Sequence, residues 1–329
     1  MGVDLDDPEF ESAVRDKLEM VEEELRASVR SADPFVTEAA RHLVDAGGKR
    51  LRPLLVVLAA HLGDPEAPEV VRSAVVMELT HLATLYHDDV MDEAQVRRGA
   101  PTANRRWSNS VAILVGDYLF ARAADLAADL GTEAVRIQAR TFTRLVQGQL
   151  AETVGPRPGD DPVAHYLRVI ADKTASLIAT CARFGAMFGN APPEVVEAVA
   201  GYGETMGIAF QLSDDLLDIA SDSEQSGKTP GTDLREGVRT LPVLYALASD
   251  EADSASVRLR EILAAGAVTD EALLAEALGL LRESAALKRA RETARAYAED
   301  ARARLTSLPD VPTRRALEQL CDVLADRTG

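Results

Sequence analysis

The chain contains 329 residues, of which 47% are hydrophobic and 4% are aromatic. That hydrophobic share supports a substantial core, and because aromatic residues are scarce, Leu, Val and Ala have to build it, which favours close-packed helices. The net charge of −18 argues against a nucleic-acid-binding protein, because such proteins need a basic face.

The cysteines and the N-terminal segment indicate where the protein works. Cys181 and Cys321 show neither CxxC nor Cys/His spacing, which fits a reducing cytosol and rules out a zinc framework or a disulfide scaffold. The first residues, MGVDLDDPEF, are too acidic and polar for a signal peptide. The longest hydrophobic run, residues 54–62, is far shorter than the roughly 20 residues that span a bilayer. We therefore expect a soluble cytoplasmic protein without an integral membrane segment.

Hydrophobic residues recur at helical spacing along almost the whole chain. The pattern predicts helices at residues 8–30, 34–46, 51–62, 67–90, 110–130, 132–154, 163–189, 193–219, 241–265, 270–306 and 312–326. Polar segments rich in Gly and Pro predict loops at 155–162 and 221–233, and the second is too long to be a simple connector. Because no strand or linker is evident, residues 1–329 are expected to form a single all-α domain, a helical bundle.

Residues 87–99, HDDVMDEAQVRRG, end a hydrophobic helix with three carboxylates. Asp88 and Asp92 are four residues apart and therefore share a helix face. Carboxylates this close repel each other, and the macrodipole at a helix C-terminus increases the cost. A hard cation such as Mg²⁺ is therefore expected at Asp88, Asp89 and Asp92.

The same pattern recurs in residues 211–218, QLSDDLLD, where Asp214, Asp215 and Asp218 also end a long hydrophobic helix. One D-D-x-x-D motif is weak evidence, because a solvated helix end explains it equally well. Two copies are much harder to obtain by chance. If the two helix ends face each other, six carboxylates line one cleft and require divalent cations. Since Mg²⁺ prefers one or two carboxylates plus phosphate oxygens, the implied ligand is a diphosphate.

A bound diphosphate also needs cations from the protein. The candidates are Lys49, Arg50, Arg52, Arg97, Arg98, Lys173 and Lys228. Each of them alone is more simply a solvated surface charge. The segment GGKRLRP at 47–53 is different, because its glycines free backbone amides and its basic residues adjoin a buried helix, which favours an anion site. His81 alone is more simply a packed core histidine.

Together these motifs resemble the trans-isoprenyl diphosphate synthase (polyprenyl synthetase) family. The similar segments are GGKRLRP, HDDVMD followed by RRG, Lys173-Thr174, FQLSDDLLD and GKTPGTDLREGVRTLPVLYAL, in family order between about residues 40 and 250. The resemblance implies an all-α bundle around a deep central cavity, usually homodimeric. It also implies a Mg²⁺-dependent prenyltransferase that condenses isopentenyl diphosphate with an allylic diphosphate.

The resemblance further implies a role for each group of residues. Mg²⁺ with the allylic diphosphate would be bound by Asp88, Asp89, Asp92, Asp214, Asp215 and Asp218. The same diphosphate would be held by Arg97, Lys173 and Lys228. Isopentenyl diphosphate would be bound by Lys49, Arg52, His81 and Arg98. The developing carbocation would be faced by Thr174 and Gln211. The expected catalytic residues are thus Asp88, Asp92, Lys173, Thr174, Gln211 and Asp214.

The helix that ends at Asp88 is expected to run beside the tunnel for the growing chain. One helical turn rises about 5.4 Å, close to the length of one extended isoprene unit. Residues three or four positions apart on one face of this helix are therefore expected to lie beside successive isoprene units of the growing chain. These residues are Ala83, Thr80, Val76 and Ser73, and Phe120 is a candidate floor. In the family, a bulky residue at the position of Ala83 stops the chain short, so this sequence is expected to make a longer product.

We therefore predict that farnesyl or geranylgeranyl diphosphate is extended to a heptaprenyl to decaprenyl product for a quinone side chain. Two alternatives stay open. One is a geranylgeranyl diphosphate synthase, and the other is a non-catalytic partner subunit of a heteromeric synthase, which the intact aspartate clusters disfavour. Val238 departs from the family, because many members have a lysine there.

Overall fold

The computed structural model describes residues 7–220 and 230–327, and these residues are almost entirely helical. The α-helices are α1 (Pro8–Ser28), α2 (Pro34–Asp45), α3 (Leu51–Ala60), α4 (Glu69–Met91), α5 (Ala103–Arg106), α6 (Asn109–Asp129), α7 (Thr132–Val154), α8 (Pro162–Ile170), α9 (Ser176–Phe188), α10 (Pro193–Ala220), α11 (Thr232–Glu236), α12 (Leu241–Leu247), α13 (Ser254–Ala264), α14 (Glu271–Glu283), α15 (Ala285–Arg304) and α16 (Pro312–Arg327). A π-helical turn, Ala171–Ala175, joins α8 to α9, and a 3₁₀ turn, Leu305–Ser307, follows α15. The prediction of an all-α fold is confirmed.

Several helices begin at an aspartate that is followed by a proline. The carboxylates of Asp7, Asp33 and Asp161 accept hydrogen bonds from backbone amides of the first turns of α1, α2 and α8. Proline suits the first helical position, because no intrahelical partner exists for an amide hydrogen there. These helix starts therefore follow directly from the local sequence.

Two long predicted helices are each divided in the structure. The predicted helix 241–265 is α12 and α13, because the carboxylate of Asp253 caps a new helix by accepting hydrogen bonds from the amides of Ala255 and Ser256. The predicted helix 270–306 is α14 and α15, which are separated by extended backbone at Ser284 (ψ 151°). Hydrophobic periodicity continues across both breaks, so it does not reveal them.

A short antiparallel hairpin follows α4, where the sequence predicted no strand. Its strands are β1 (Val96–Arg97) and β2 (Ala100–Pro101). The residues at the turn, Arg98 and Gly99, have positive φ angles of 54° and 77°, as a tight two-residue hairpin turn requires. Strands of two residues are too short to produce an alternating pattern in the sequence.

The chain divides into two compact units. Unit 1 consists of the described residues within Met1–Thr143, Leu177–Gly203 and Leu305–Leu317, and unit 2 consists of those within Arg144–Ser176, Glu204–Arg304 and Glu318–Gly329. The prediction that residues 1–329 form a single domain stays a prediction.

Unit 1 is built around α4, which packs against α1, α3 and α6. This helix is buried around most of its circumference, as its nearly continuous hydrophobic sequence predicts. The hydroxyl of Tyr86 donates a hydrogen bond to the carbonyl of Ala39 (2.6 Å) and accepts one from the amide of Leu43 (3.2 Å). These bonds tie the C-terminal end of α4 to α2.

Unit 2 has its own hydrophobic cluster, formed by side chains of α8 and of α10 to α15. Leu212, Leu216 and Ile219 on α10 belong to this cluster and are at most 2% exposed. Burial of this face leaves Asp214 and Asp218 on the half-buried side of the same helix. None of the helices in the described ranges combines the length and the hydrophobicity needed to cross a lipid bilayer.

Candidate active site

The first aspartate cluster lies at the C-terminal end of α4. Asp88 is half-buried, and Asp92 is exposed at the C-cap, where its amide donates to the carbonyl of Asp88 (2.8 Å). Asp89 is fully buried and forms an ion pair with Arg97. Its Oδ2 atom has no hydrogen-bond partner among the described residues. Burial raises the pKa of the Asp89 carboxyl even though Arg97 opposes the shift.

Arg50 holds the GGKR segment in place rather than facing solvent. Its backbone adopts the left-handed conformation (φ 46°). The guanidinium contacts Glu78 (Nη1 to Oε1, 2.9 Å), forms an ion pair with Glu22, and donates to the carbonyl of Val44 (2.9 Å). Arg50 is therefore a structural residue, whereas its neighbour Lys49 is exposed, and the role of Lys49 in binding a substrate stays a prediction.

Arg98 packs directly on the same segment. Its guanidinium donates to the carbonyls of Leu43 (3.1 Å) and Gly47. A Cβ atom at Gly48 would lie 2.8 Å from the Cζ atom of Arg98, and the φ angle of Gly48, 142°, is one that other residues rarely adopt. Both glycines of the pair thus have positive φ angles, 79° at Gly47 and 142° at Gly48, which glycine adopts without strain.

His81 lies in a local concentration of positive charge. Burial, followed by the nearby cations Arg52, Arg98, Arg97 and Arg50, lowers the pKa of its imidazole well below the usual range. The ring is therefore neutral at pH 7 and can donate one hydrogen bond without adding charge. Arg50 and Arg97 are each paired with carboxylates, but four arginines around one neutral ring in a chain of net charge −18 still favour an anion at this position.

The second aspartate cluster belongs to unit 2, near the end of α10. Asp215 is 6% exposed and accepts hydrogen bonds from Gln211 (Nε2 to Oδ1, 2.8 Å) and from the hydroxyl of Tyr166. Burial raises the pKa of Asp215 to about 7, against the lowering effect of these two bonds. The hydroxyl of Thr174 donates to Oε1 of Gln211 (3.0 Å). Thr174, Gln211, Asp215 and Tyr166 thus form a hydrogen-bonded series.

Asp218 is also engaged by the protein. Its carboxylate accepts hydrogen bonds from the amides of Thr232 (3.2 Å) and Asp233 (3.0 Å) at the start of α11. Gly231, the residue before that helix, has no side chain with which to cap it. Asp218 therefore supplies the cap from one end of α10.

Lys173 and Thr174 lie in the π turn between α8 and α9. The ammonium group of Lys173 forms an ion pair with Glu152 on α7. The sequence predicted an unbroken α-helix over 163–189, and the π turn is a difference that the hydrophobic pattern does not signal. π turns within α-helices frequently occur at functional sites.

Several predicted roles are not tested by this structure. Lys228, and with it residues 221–229 of the predicted loop 221–233, lies outside the described residues. Asp88 and Asp92 belong to unit 1 and Asp214 and Asp218 to unit 2, so a common cleft stays a prediction. Val238 is 39% exposed, and its effect also stays a prediction.

The four residues expected to measure the product are buried. Ala83, Val76 and Ser73 have no exposed surface, and Thr80 is 1% exposed. The hydroxyls of Thr80 and Ser73 donate to the carbonyls of Val76 (2.8 Å) and Val70 (2.8 Å) of the same helix, so these side chains present mainly hydrophobic surface.

The half-buried residues in the same turns of α4 include His81, Thr84 and Leu85, which precede half-buried Asp88. Phe120, the candidate floor, contacts His87 (ring centroids 5.7 Å apart). It also contacts Phe142 (4.3 Å). The role of α4 in measuring the product stays a prediction.

The sequence reasoning overlooked several residues that support the site. Glu78 was detectable, because a carboxylate within a continuously hydrophobic helix requires a buried partner. Glu22 and Tyr166 gave no local signal, since their partners Arg50 and Asp215 are distant in sequence. Glu152 also has its partner outside its own helix.

The donor set at the two helix ends fits Mg²⁺. Asp88 and Asp92 share one face of α4, as Asp214 and Asp218 share one face of α10, and hard carboxylate oxygens suit this ion. Within the described ranges, no three His, Cys, Asp or Glu side chains are grouped so as to hold a metal ion. Phosphate oxygens normally complete a Mg²⁺ site of this kind. The structure therefore shows an all-α protein whose helix-end carboxylates are of the type that suits a divalent cation together with phosphate oxygens.

Comparison with known proteins agrees with this description. Residues 33–281 match the family model described as Polyprenyl synthetase. A nonaprenyl diphosphate synthase of Mycobacterium tuberculosis is 52% identical, with 100% of this chain and 97% of that protein covered. The chain belongs to the polyprenyl synthetase family, and the family prediction is confirmed.

Solved structures give the same result. A geranylgeranyl pyrophosphate synthase from Corynebacterium glutamicum, complexed with calcium and isoprenyl diphosphate, superposes with a TM-score of 0.88 at 44% identity and covers 98% of each chain. A decaprenyl diphosphate synthase from Rhodobacter capsulatus gives a TM-score of 0.87 at 37% identity, with 98% of this chain and 99% of that chain covered. The all-α isoprenoid synthase fold is thus shared.

The Arg50 ion pairs generate a stability prediction. Glu78→Gln is expected to lower the free energy of unfolding by about 3 kcal/mol, because it removes the buried one of the two carboxylates that pair with the Arg50 guanidinium. The side chain of Glu78 is 2% exposed and that of Glu22 is 25% exposed. The matched variant Glu22→Gln should therefore cost within about 1 kcal/mol. Denaturant unfolding measures both, and equal losses would contradict a buried role for Glu78.

Proposed function

We propose that the protein is a Mg²⁺-dependent trans-polyprenyl diphosphate synthase. It condenses isopentenyl diphosphate with farnesyl or geranylgeranyl diphosphate and makes a product in the heptaprenyl to decaprenyl range for a quinone side chain. The observation that carries this proposal is the group of four arginines around neutral His81, linked through the Arg97–Asp89 ion pair to the carboxylates of α4. Such a combination suits two anionic substrates and a divalent cation.

In this proposal, the chain's own residues bind and orient the two substrates. Asp88, Asp92 and Asp214 hold the allylic diphosphate through Mg²⁺, and Lys173 adds a direct cation. When bound, Mg²⁺ supplies positive charge that stabilises the departing diphosphate. Isopentenyl diphosphate is held by Lys49, Arg52, Arg98 and the imidazole of His81.

The series that begins at Thr174 is suited to stabilising the carbocation. Because Asp215 accepts a hydrogen bond from the amide nitrogen of Gln211, the amide oxygen is directed to Thr174. Oxygen dipoles fixed before the reaction stabilise developing positive charge at no cost of reorganisation. Ionisation breaks the allylic C–O bond, and the electron pair leaves with the diphosphate. The double bond of isopentenyl diphosphate then attacks the cation, and the released diphosphate accepts the proton that is lost, which gives a chain one unit longer.

Product length is supported by the relatives and by α4. The nonaprenyl and decaprenyl diphosphate synthases match the chain at 52% and 37% identity, which supports a long product. A geranylgeranyl diphosphate synthase is the second candidate, favoured by the 44% identical enzyme of Corynebacterium glutamicum. Ala83, which is not aromatic, favours the longer product.

We also propose that the protein is a homodimer. One face of α7 exposes Phe142, Val146, Leu150 and Val154, of which Leu150 is 58% and Val154 77% exposed. A second copy would cover this hydrophobic face in a symmetric interface. We also propose a cytoplasmic location, which fits the two buried cysteines, Cys181 and Cys321. Cell fractionation tests it.

Elongation by the purified chain tests the main proposal. With labelled isopentenyl diphosphate, farnesyl diphosphate and Mg²⁺, we expect chain elongation without any other subunit. Asp88→Asn and Asp214→Asn should each lower kcat on the order of 100-fold, because each removes charge that supports ionisation of the diphosphate. Asp129→Asn, at the exposed end of α6, is the control. A wild-type chain that is inactive alone but active with a second subunit would indicate the partner-subunit alternative.

Product analysis tests the role of α4 in chain length. Ala83→Tyr is expected to shorten the product to geranylgeranyl length or below, because a ring there blocks the path of the growing chain. Thr84→Tyr is the matched variant on the half-buried face of the same turn. A shorter product from Thr84→Tyr alone would indicate that the face formed by His81, Thr84 and Asp88 limits the product length instead. Unchanged products from both variants would contradict a measuring role for this part of α4.

Sedimentation velocity tests the dimer. Leu150→Asp is expected to convert the protein to a species of half the mass, since a carboxylate cannot be buried unpaired in a hydrophobic interface. Val257→Asp, at an exposed position of α13 (37% exposed), introduces the same charge elsewhere and should leave the mass unchanged. A wild-type protein that sediments as a monomer at micromolar concentration would contradict the proposal.

A further inference from the structure

The π turn Ala171–Ala175 needs support from outside its own helix. A π turn inserts one extra residue and interrupts the regular hydrogen-bond pattern of an α-helix, so it persists where the surroundings hold it. This turn contains Lys173 and Thr174, to which the proposed function gives roles in binding the diphosphate and facing the carbocation. The contacts that stabilise the π turn therefore determine the positions of the Lys173 and Thr174 side chains.

Arg144 on α7 binds the first two residues of the turn. Its Nη2 atom donates to the carbonyl of Ala171 (3.2 Å) and its Nε atom donates to Oδ1 of Asp172 (2.7 Å). The same guanidinium is fixed from the other side by both carboxylate oxygens of Glu204 on α10, at 3.0 and 2.6 Å. The planar arrangement of arginine donors allows all four bonds at once, which a lysine cannot reproduce.

Gly148 lies one helical turn after Arg144, on the same face of α7. A Cβ atom at this position would lie 2.5 Å from the backbone nitrogen of Lys173 and 3.0 Å from the carbonyl carbon of Asp172. The backbone atoms of the π turn cannot move away from an added Cβ atom as the end of a flexible side chain could. Glycine weakens a helix interior relative to alanine, and the direct contact between α7 and the π turn gives the physical reason for its presence.

The π turn positions the side chains of Lys173 and Thr174, which the proposed function uses. The hydroxyl of Thr174 reaches Oε1 of Gln211 (3.0 Å), and the ammonium group of Lys173 reaches Glu152. Both contacts depend on the rotation of the chain within the turn, because neighbouring helical residues point about 100° apart. A small change at Ala171 or Asp172 would therefore turn Lys173 and Thr174 away from their partners.

We propose that Arg144 and Gly148 are positioning residues, which hold the π turn so that Lys173 and Thr174 face the allylic diphosphate and the carbocation. This inference rests on the proposed prenyltransferase function. In this proposal both residues act through the turn, Arg144 by its bonds to Ala171 and Asp172 and Gly148 by its contact with the backbone of Lys173. The pattern R-x-x-x-G in residues 144–148 thus belongs to the catalytic architecture of the chain.

Steady-state kinetics of Arg144→Met and Gly148→Ala test the proposal. We expect kcat to fall on the order of 100-fold, as a misplacement of about 1 Å of a catalytic group produces, with KM for isopentenyl diphosphate changed less than about two-fold because other residues bind it. Arg144→Lys, which keeps the charge and loses the planar donors, should lie between wild type and Arg144→Met. The controls are Arg140→Met, at an exposed position of α7, and Gly279→Ala, whose Cβ meets nothing within 4 Å.

Hydrogen exchange of the amides in residues 171–176 supplies a readout that is independent of activity. Exchange there should be faster in Arg144→Met than in wild type and Arg140→Met. If Arg144→Met does not accumulate in folded form, Asp172→Asn, which weakens the same contact, should give the same split between kcat and KM and the same faster exchange. Wild-type kcat in these variants, or a lower kcat with unchanged exchange, would overturn the inference. Failure of the wild-type chain to elongate would contradict the proposed function, while the exchange experiment would still test whether Arg144 holds the turn.

Discussion

The ion pairs of Arg50 with Glu78 and Glu22 are the constraint on which the anion site of unit 1 depends. Arg50 adopts a left-handed backbone conformation, which costs a non-glycine residue free energy, and a buried carboxylate on α4 compensates for it. This contact fixes the GGKR segment against α4. Arg98 then packs on the carbonyls of that segment, and the local positive charge around His81 follows.

The same principle explains how an acidic protein can bind acidic substrates. The overall charge of −18 repels anions at long range, but screening confines that repulsion to about a Debye length. Arginines that are partly buried keep their effect at short range, where the medium is less polarisable. Neutral His81 contributes a donor without adding to the repulsion among the arginines.

In unit 2, a series of hydrogen bonds orients the side chains that are expected to act. Asp215 orients the amide of Gln211, Gln211 accepts from Thr174, and the π turn places Thr174. The two adjacent aspartates therefore differ in environment, because Asp214 is half-buried, whereas Asp215 is buried and accepts hydrogen bonds from Gln211 and Tyr166. Asp218, although predicted as a ligand, also caps α11. The two aspartate clusters are thus alike in sequence and different in their protein contacts.

The sequence by itself determined the helical class, most helix starts and the motifs that identify the family, because these depend on local spacing and on residue type. Asp33 before Pro34 predicts a helix start, and Asp88 and Asp92 share a face wherever a helix forms. Only the tertiary structure decided that Asp89 is buried with Arg97, that Arg50 is structural while Lys49 is exposed, and that Lys173 lies in a π turn. Each of these outcomes depends on a partner that is distant in sequence or on another helix. Periodicity records which side of a helix is hydrophobic, but it does not record which other helix meets that side.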